Sequence, residues 1–173
     1  MAKQCILILG GARGGKSSFA KDIAPDFGDR VLFVATGEAL DEEMRQRIEE
    51  HKKERPPNWR SLEAPLGIGK RIQDESGDAQ VVIVDCLTLL VSNVMGQCYD
   101  DPEQMNAEPV QERLTTEIDE LTECIDSSAA TFILVSNEVG MGLVPENRLG
   151  RLYRDLLGKI NQIFAQRADR VYF

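Results

Sequence analysis

No apolar run in this chain approaches the roughly 18 to 20 residues needed to cross a bilayer. The first apolar stretch, Cys5 to Leu9, begins too early for a secretory leader to precede it. With neither feature, the expected location is the cytoplasm, without membrane insertion. Cationic residues are also in deficit: 20 Lys and Arg stand against 29 Asp and Glu, for a formal net charge of −9. Nucleic-acid and anionic-membrane surfaces need clustered Lys and Arg to displace counterions, so no nucleic-acid partner is expected. Small molecules and other protein chains remain. The four cysteines, Cys5, Cys86, Cys98 and Cys124, include no C-x-x-C pair. They read as reduced thiols, with Cys5 and Cys86 in buried strands acting as small hydrophobes rather than reagents. At 173 residues the chain suits one domain, 1–173, with a two-sided core and no room for a second catalytic domain.

Against these absences stands one dense motif. Gly10, Gly11, Ala12, Arg13, Gly14, Gly15, Lys16 and Ser17 follow the apolar run directly and fit G-x-x-x-x-G-K-[ST] at every fixed position. A strand would deliver a loop whose backbone N–H groups converge on phosphate oxygens, and a helix starting at Lys16 would turn its positive end to the anion. Lys16 would reach the β and γ phosphates, and Ser17 would hold Mg²⁺. The chain is therefore expected to use a nucleoside triphosphate.

Apolar, β-branched runs recur at Cys5 to Leu9, Val31 to Ala35, Val81 to Val84, Phe132 to Val135 and Val171 to Phe173, and predict buried parallel strands. Helical patterns lie between them at Lys16 to Ile23, Asp41 to Glu54, Gly67 to Asp74, Pro109 to Ile125 and Arg148 to Arg167. The alternation predicts a doubly wound α/β sheet with ligands at the carboxyl ends of the strands. Pro56 and Pro57 close the second helix, and Trp59 follows in an extended stretch. The polar segment 96–109 reads as a loop.

Several residues outside the motif carry chemistry. Asp85 ends the run Val81 to Val84, where an acid can complete a Mg²⁺ shell or simply cap a following helix. His51, the one histidine, shares a stripe with Leu40, Met44, Ile48 and Arg55. Two readings stand for it: a satisfied, partly buried histidine, or a nucleophile whose neutral ring attacks phosphorus. Lys52, Lys53 and Arg55 would offset charge on a transferred nucleotide, or serve the helix C-terminal dipole. Ser136 and Asn137 leave the fourth strand at its ligand-bearing end. Asn147, Arg148, Arg151 and Arg154 line one helix face, which suits a phosphate, another subunit, or plain solvent.

Taken jointly, the motif at 10–17, the block R-I-x-x-H-x-x-x-R-P-x-x-W (Arg47, Ile48, His51, Arg55, Pro56, Trp59) and the block N-E-V-G-x-G-x-V-P (Asn137 to Pro145) resemble the bifunctional adenosylcobinamide kinase and adenosylcobinamide-phosphate guanylyltransferase family of cobalamin biosynthesis. The likeness runs from Ile6 to Phe173. It implies a single RecA-like P-loop NTPase domain, with a mostly parallel sheet and helices on both faces, assembled as a homo-oligomer, a trimer. It implies phosphorylation of adenosylcobinamide by ATP or GTP, then transfer of GMP from GTP to the corrinoid phosphate through a guanylylated histidine, with release of pyrophosphate. The matching histidine is His51. Nucleotide contacts would fall on Gly10 to Ser17, on Ala35, Thr36 and Gly37, on Lys52, Lys53, Glu54 and Arg55, and on Glu63 and Asp85, with Lys16 serving catalysis and Ser17 and Asp85 the metal. Two narrower readings keep the same triphosphate site: a kinase in which His51 is structural, and a GTP-binding module without transfer. Two departures stand out. Gly14 occupies a position where the family commonly has serine, and relatives usually continue past the point of Phe173 through a further glycine-containing apolar segment.

Overall fold

The computed structural model describes residues 3–39, 42–98 and 106–173, without the side chains of Glu43, Arg47 and His51. Among the described residues six strands form one sheet: β1 (Cys5–Ile8), β2 (Val31–Ala35), β3 (Arg60–Glu63), β4 (Val81–Asp85), β5 (Thr131–Val135) and β6 (Arg170–Tyr172), in the spatial order β3-β2-β4-β5-β1-β6. Every pairing is parallel. The helices are α1 (Lys16–Ile23), α2 (Glu42–Lys53), α3 (Ile68–Glu75), α4 (Leu87–Cys98), α5 (Ala107–Ser127) and α6 (Arg148–Arg167). A 3-10 turn, Ala24–Asp26, follows α1 with Pro25 inside it. One strand, β5, separates the P-loop strand β1 from β4, the strand that ends in Asp85.

Both sheet faces are apolar because alternate residues of each strand serve opposite layers. Leu7, Val34, Val84 and Leu134 face α3, α4, α5 and α6, whereas Ile8, Phe33, Ile83 and Val135 face α1 and the 3-10 turn. Burial on both sides explains the unbroken Val, Ile and Leu runs in the sequence. Asn106 and Asn147 set the starts of α5 and α6, their side-chain oxygens accepting from Glu108 N–H and Gly150 N–H.

Two elements depart from the sequence reading. Strand β3 was expected only as an extended stretch, because its residues Arg60, Ser61 and Glu63 are exposed and Leu62 alone is buried. As an edge strand it needs just one inward apolar residue. Helix α4 has no counterpart among the sequence patterns, and its last residues, Gly96 to Cys98, take the place of the start of the expected loop. Leu87, Thr88, Leu90, Val91, Asn93, Val94 and Met95 are all buried, and only Ser92, Gly96 and Gln97 are exposed, so the polar face is too narrow to write an amphipathic period. Of the rest of that expected loop, 99–105 lie outside the described residues, Asn106 caps α5 and Ala107 to Pro109 form its first turn; Leu40 and Asp41 ahead of α2 also lie outside the described residues.

Helices α3 and α5 approach closely at Gly69. A Cβ there would overlap the backbone carbonyl of Glu120 and lie 2.6 Å from Leu121 N. Gly67 N–H, at the start of α3, donates to both oxygens of the buried Glu117 carboxylate on α5, at 2.9 Å each. Gly158, on the outer face of α6, has open space where its Cβ would be. The same substitution should therefore act in opposite directions. Gly69→Ala is expected to lower the unfolding free energy by about 1–3 kcal/mol through overpacking, and Gly158→Ala to raise it by about 0.4–1 kcal/mol, both measured by urea denaturation.

Candidate active site

Six parallel strands end on one side of the sheet, and there a cavity of about 590 Å³ opens. Its floor is made by strand ends, with Ala35 of β2, Asp85 of β4, Val135 of β5 and Asn137 just beyond β5. One wall is the P-loop from Ala12 to Ser18; the other is α2, through Met44 and Ile48.

The P-loop is held open by its own geometry. Gly14 N–H donates to Gly11 O at 3.2 Å, closing a turn in which Arg13 has φ 58. Arg13 thus takes a left-handed conformation that costs an ordinary residue about 1–2 kcal/mol. Gly15 follows at φ 80 as the N-cap of α1, with no side chain capping the helix. Among the described residues, the N–H groups of Ala12, Arg13 and Gly15 have no protein acceptor. Free amides at the positive end of a helix form an anion cradle. Lys16 Nζ donates to Gly11 O at 2.6 Å, folded over the loop. Burial there holds its ammonium below the ordinary lysine range, and the nearby Asp85 carboxylate opposes that shift in part. A Cβ on Gly14 would lie 3.0 Å from Gly11 O, so a serine at this position needs the turn to open by a few tenths of an ångström.

The cavity gathers most of the residues marked out in the sequence, and several others stand apart. Ala12 to Ser17, Ala35, Gly37, Glu54, Arg55 and Asp85 line it, while Gly10, Gly11, Thr36, Lys52, Lys53 and Glu63 do not. Thr36 is fully buried, and its hydroxyl donates to Cys86 O at 2.7 Å and accepts from Cys86 N–H at 2.8 Å. Its N–H donates to Asp85 O and its carbonyl accepts from Asn93 Nδ2. The hydroxyl and N–H of Thr36 thus tie the end of β2 to the end of β4, and its carbonyl ties it to α4. Arg55, with its side chain only 7% exposed, lies 4.3 Å from the Phe33 ring centroid. It donates to Ser61 Oγ at 3.2 Å and Glu63 Oε1 at 3.1 Å, while its buried Nε has no partner among the described residues. Glu54 accepts from Lys21 Nζ at 3.0 Å, joining the end of α2 to α1. His51 belongs to α2, but its side chain lies outside the described residues.

Sequence reasoning missed Phe33, Met44, Cys86, Thr88 and Leu89 as cavity residues. Thr88 and Leu89 were hidden because α4 itself was. Cys86 sits between β4 and α4 rather than within a strand, and its peptide bond with Asp85 is cis. Burial pushes the thiols of Cys5, Cys86 and Cys124 up to about 11, so they stay protonated at neutral pH. Arg151 donates to Pro145 O at 2.9 Å and to Glu146 O at 2.6 Å, bracing the loop ahead of α6.

An α/β sheet with this loop at its carboxyl edge defines a P-loop protein. The chain belongs to the family described as cobinamide kinase / cobinamide phosphate guanyltransferase, whose profile matches residues 6–173. It is 42% identical over 167 residues to the bifunctional adenosylcobalamin biosynthesis protein CobP of Pseudomonas aeruginosa, covering 96% of this chain and 90% of that one. It is 39% identical over 169 residues to the protein CobU of the same description from Salmonella typhimurium, and 37% identical over 172 residues to that of Escherichia coli; each match covers 96% of this chain and 93% of the relative.

Thr36 gives a direct test of the floor. Thr36→Val keeps the side-chain volume but leaves a buried Cys86 N–H unpaired, which should lower the unfolding free energy by about 1–3 kcal/mol. Equilibrium denaturation with urea measures this.

Proposed function

We propose that this chain is a bifunctional transferase, one catalytic domain that phosphorylates a cobinamide and then transfers GMP to the resulting phosphate. The observation that carries the reading is that one cavity is walled on one side by the P-loop and on the other by α2, the helix that bears His51. A triphosphate cradled by the loop amides has two reactive phosphorus atoms, and each reaction uses one. In the first, the acceptor hydroxyl oxygen bonds to the γ phosphorus of ATP or GTP and a nucleoside diphosphate leaves. In the second, a ring nitrogen of His51 bonds to the α phosphorus of GTP and pyrophosphate leaves. The acceptor phosphate then displaces the histidine to give the GDP derivative of the corrinoid.

Lys16 neutralises phosphate charge in both reactions. Its depressed pKa limits that role at high pH, because the ammonium deprotonates below the ordinary lysine range. Arg55 and Lys52, near the end of α2, offset charge on the nucleotide attached to His51, while Glu63 orients Arg55. The Ser17 hydroxyl and the Asp85 carboxylate are hard oxygen donors suited to Mg²⁺, which neutralises phosphate charge when bound. Among the described residues no group of three His, Cys, Asp or Glu side chains gathers into a metal cage, consistent with an ion that takes its other ligands from nucleotide and water. The acceptor is a corrinoid, adenosylcobinamide and then its phosphate. The enzyme works in the cytoplasm as a homo-oligomer, a trimer; among the described residues no helix is long and apolar enough to cross a membrane.

Intact mass spectrometry after incubation with GTP and Mg²⁺ tests the reading. A single acid-labile GMP adduct is expected on the wild type and none on His51→Ala, which should still phosphorylate cobinamide. Lys16→Ala should lose both activities by at least about 100-fold. Binding of GTP with no adduct and no phosphorylated product would leave only a nucleotide-binding module.

A further inference from the structure

Asn137 occupies the carboxyl tip of β5, between the P-loop strand and the strand that ends in Asp85. Its backbone is fixed from two directions. The N–H donates to Thr88 Oγ1 at 2.7 Å, and the carbonyl accepts from Asn161 Nδ2 at 2.9 Å. The amide of Asn161 is itself oriented, because its Oδ1 accepts from the buried Ser136 hydroxyl at 2.6 Å. Glu138, the next residue, donates its N–H to Gly10 O at 3.0 Å, which locks the tip of β5 to the first residue of the P-loop. With its backbone engaged, Asn137 offers the cavity its carboxamide, which meets no protein partner among the described residues. The anchored backbone fixes where the carboxamide starts from and leaves its hydrogen-bonding groups available to a ligand.

Asn137 and Asp85 follow neighbouring strands on the cavity floor, where a triphosphate with its β phosphate on the α1 amides would extend its γ phosphate. We propose that Asn137 is a catalytic residue of the phosphoryl-transfer reaction, its Nδ2–H donating to a γ-phosphate oxygen as that group moves. The proposal rests on the function proposed above. In the step concerned, the acceptor hydroxyl oxygen forms a bond to the γ phosphorus and the bond from that phosphorus to the β–γ bridging oxygen breaks. The nucleoside diphosphate leaves with the electron pair, and the hydroxyl proton passes to solvent. A neutral donor suits this place because charge spreads over the γ oxygens in the transition state and the protein need not reorganise to meet it.

The two activities control for each other. Asn137→Ala and Asn137→Asp are assayed for phosphorylation of cobinamide and, separately, for guanylyl transfer to supplied cobinamide phosphate. Phosphorylation kcat is expected to fall about 100-fold in Asn137→Ala, with KM for the triphosphate changed less than about threefold. It should fall further in Asn137→Asp, whose carboxylate repels the γ phosphate. Guanylyl transfer, in which the γ phosphate belongs to the leaving pyrophosphate, should fall at least about tenfold less than phosphorylation in Asn137→Ala. Unchanged phosphorylation, or a parallel fall of both activities, would overturn the proposal. A wild-type protein that performs neither reaction would overturn the function on which it rests instead, so the two failures are distinguishable.

Discussion

Parallel pairing of all six strands is the constraint on which the cavity depends. Because every strand runs the same way, every connection out of a strand leaves at one edge, and each return to the other edge must cross a face of the sheet. Helices fill those crossings and cover both faces. The loops and helix starts after β1, β2, β4 and β5 consequently converge without any one of them specifying the site. The phosphate-binding loop, Gly37, Asp85 and Asn137 are neighbours because of sheet order, although the chain separates them widely.

The two sides of the cavity are held by different physics. Beneath the floor, Thr36, Asn93, Ser136 and Asn161 are buried and hydrogen-bonded, linking β2, β4, β5, α4 and α6 through groups that water does not reach. Buried satisfied networks are stiff, since breaking any member strands its partner. Helix α2 is secured differently. Its end is joined to α1 by the Lys21–Glu54 ion pair, and just past it Arg55 lies under the Phe33 ring and meets Glu63. Lys21 and Arg55 are largely shielded, while their carboxylate partners are more than a third exposed, so screening by water limits what each pair contributes. The fixed floor and the lightly tethered wall meet around the same phosphate cradle.

What could be read in advance followed from how local each signal is. The P-loop was legible because spacing, strand and helix fall within thirteen consecutive residues, Cys5 to Ser17. The central strands were legible because burial on both faces writes continuous apolar runs. Helix α4 was invisible for the same reason: buried on most sides, it exposes only Ser92, Gly96 and Gln97, and Leu87 to Met95 resembles any other buried stretch. Strand β3 was obscured by its exposed Arg60, Ser61 and Glu63. At the site, Asp85 and Arg55 could be singled out as types of residue. The Cys86 partner of Thr36 and the Thr88 and Asn161 partners of Asn137 could not, since each contact joins residues at least 24 apart in the chain.

The position of β1 in the sheet has a bearing on how the molecule is made. Cys5 lies beside Phe132, and Ile6 beside Arg170, so both neighbours of the P-loop strand come from the last third of the chain. The β2–β3 and β2–β4 ladders, by contrast, close among residues 31–85. During synthesis the amino-terminal strand has nothing to pair with until β5 has been translated, and distant pairings of this kind carry the largest loop-closure cost. The phosphate cradle thus leaves the ribosome well ahead of the two strands that complete its place in the sheet.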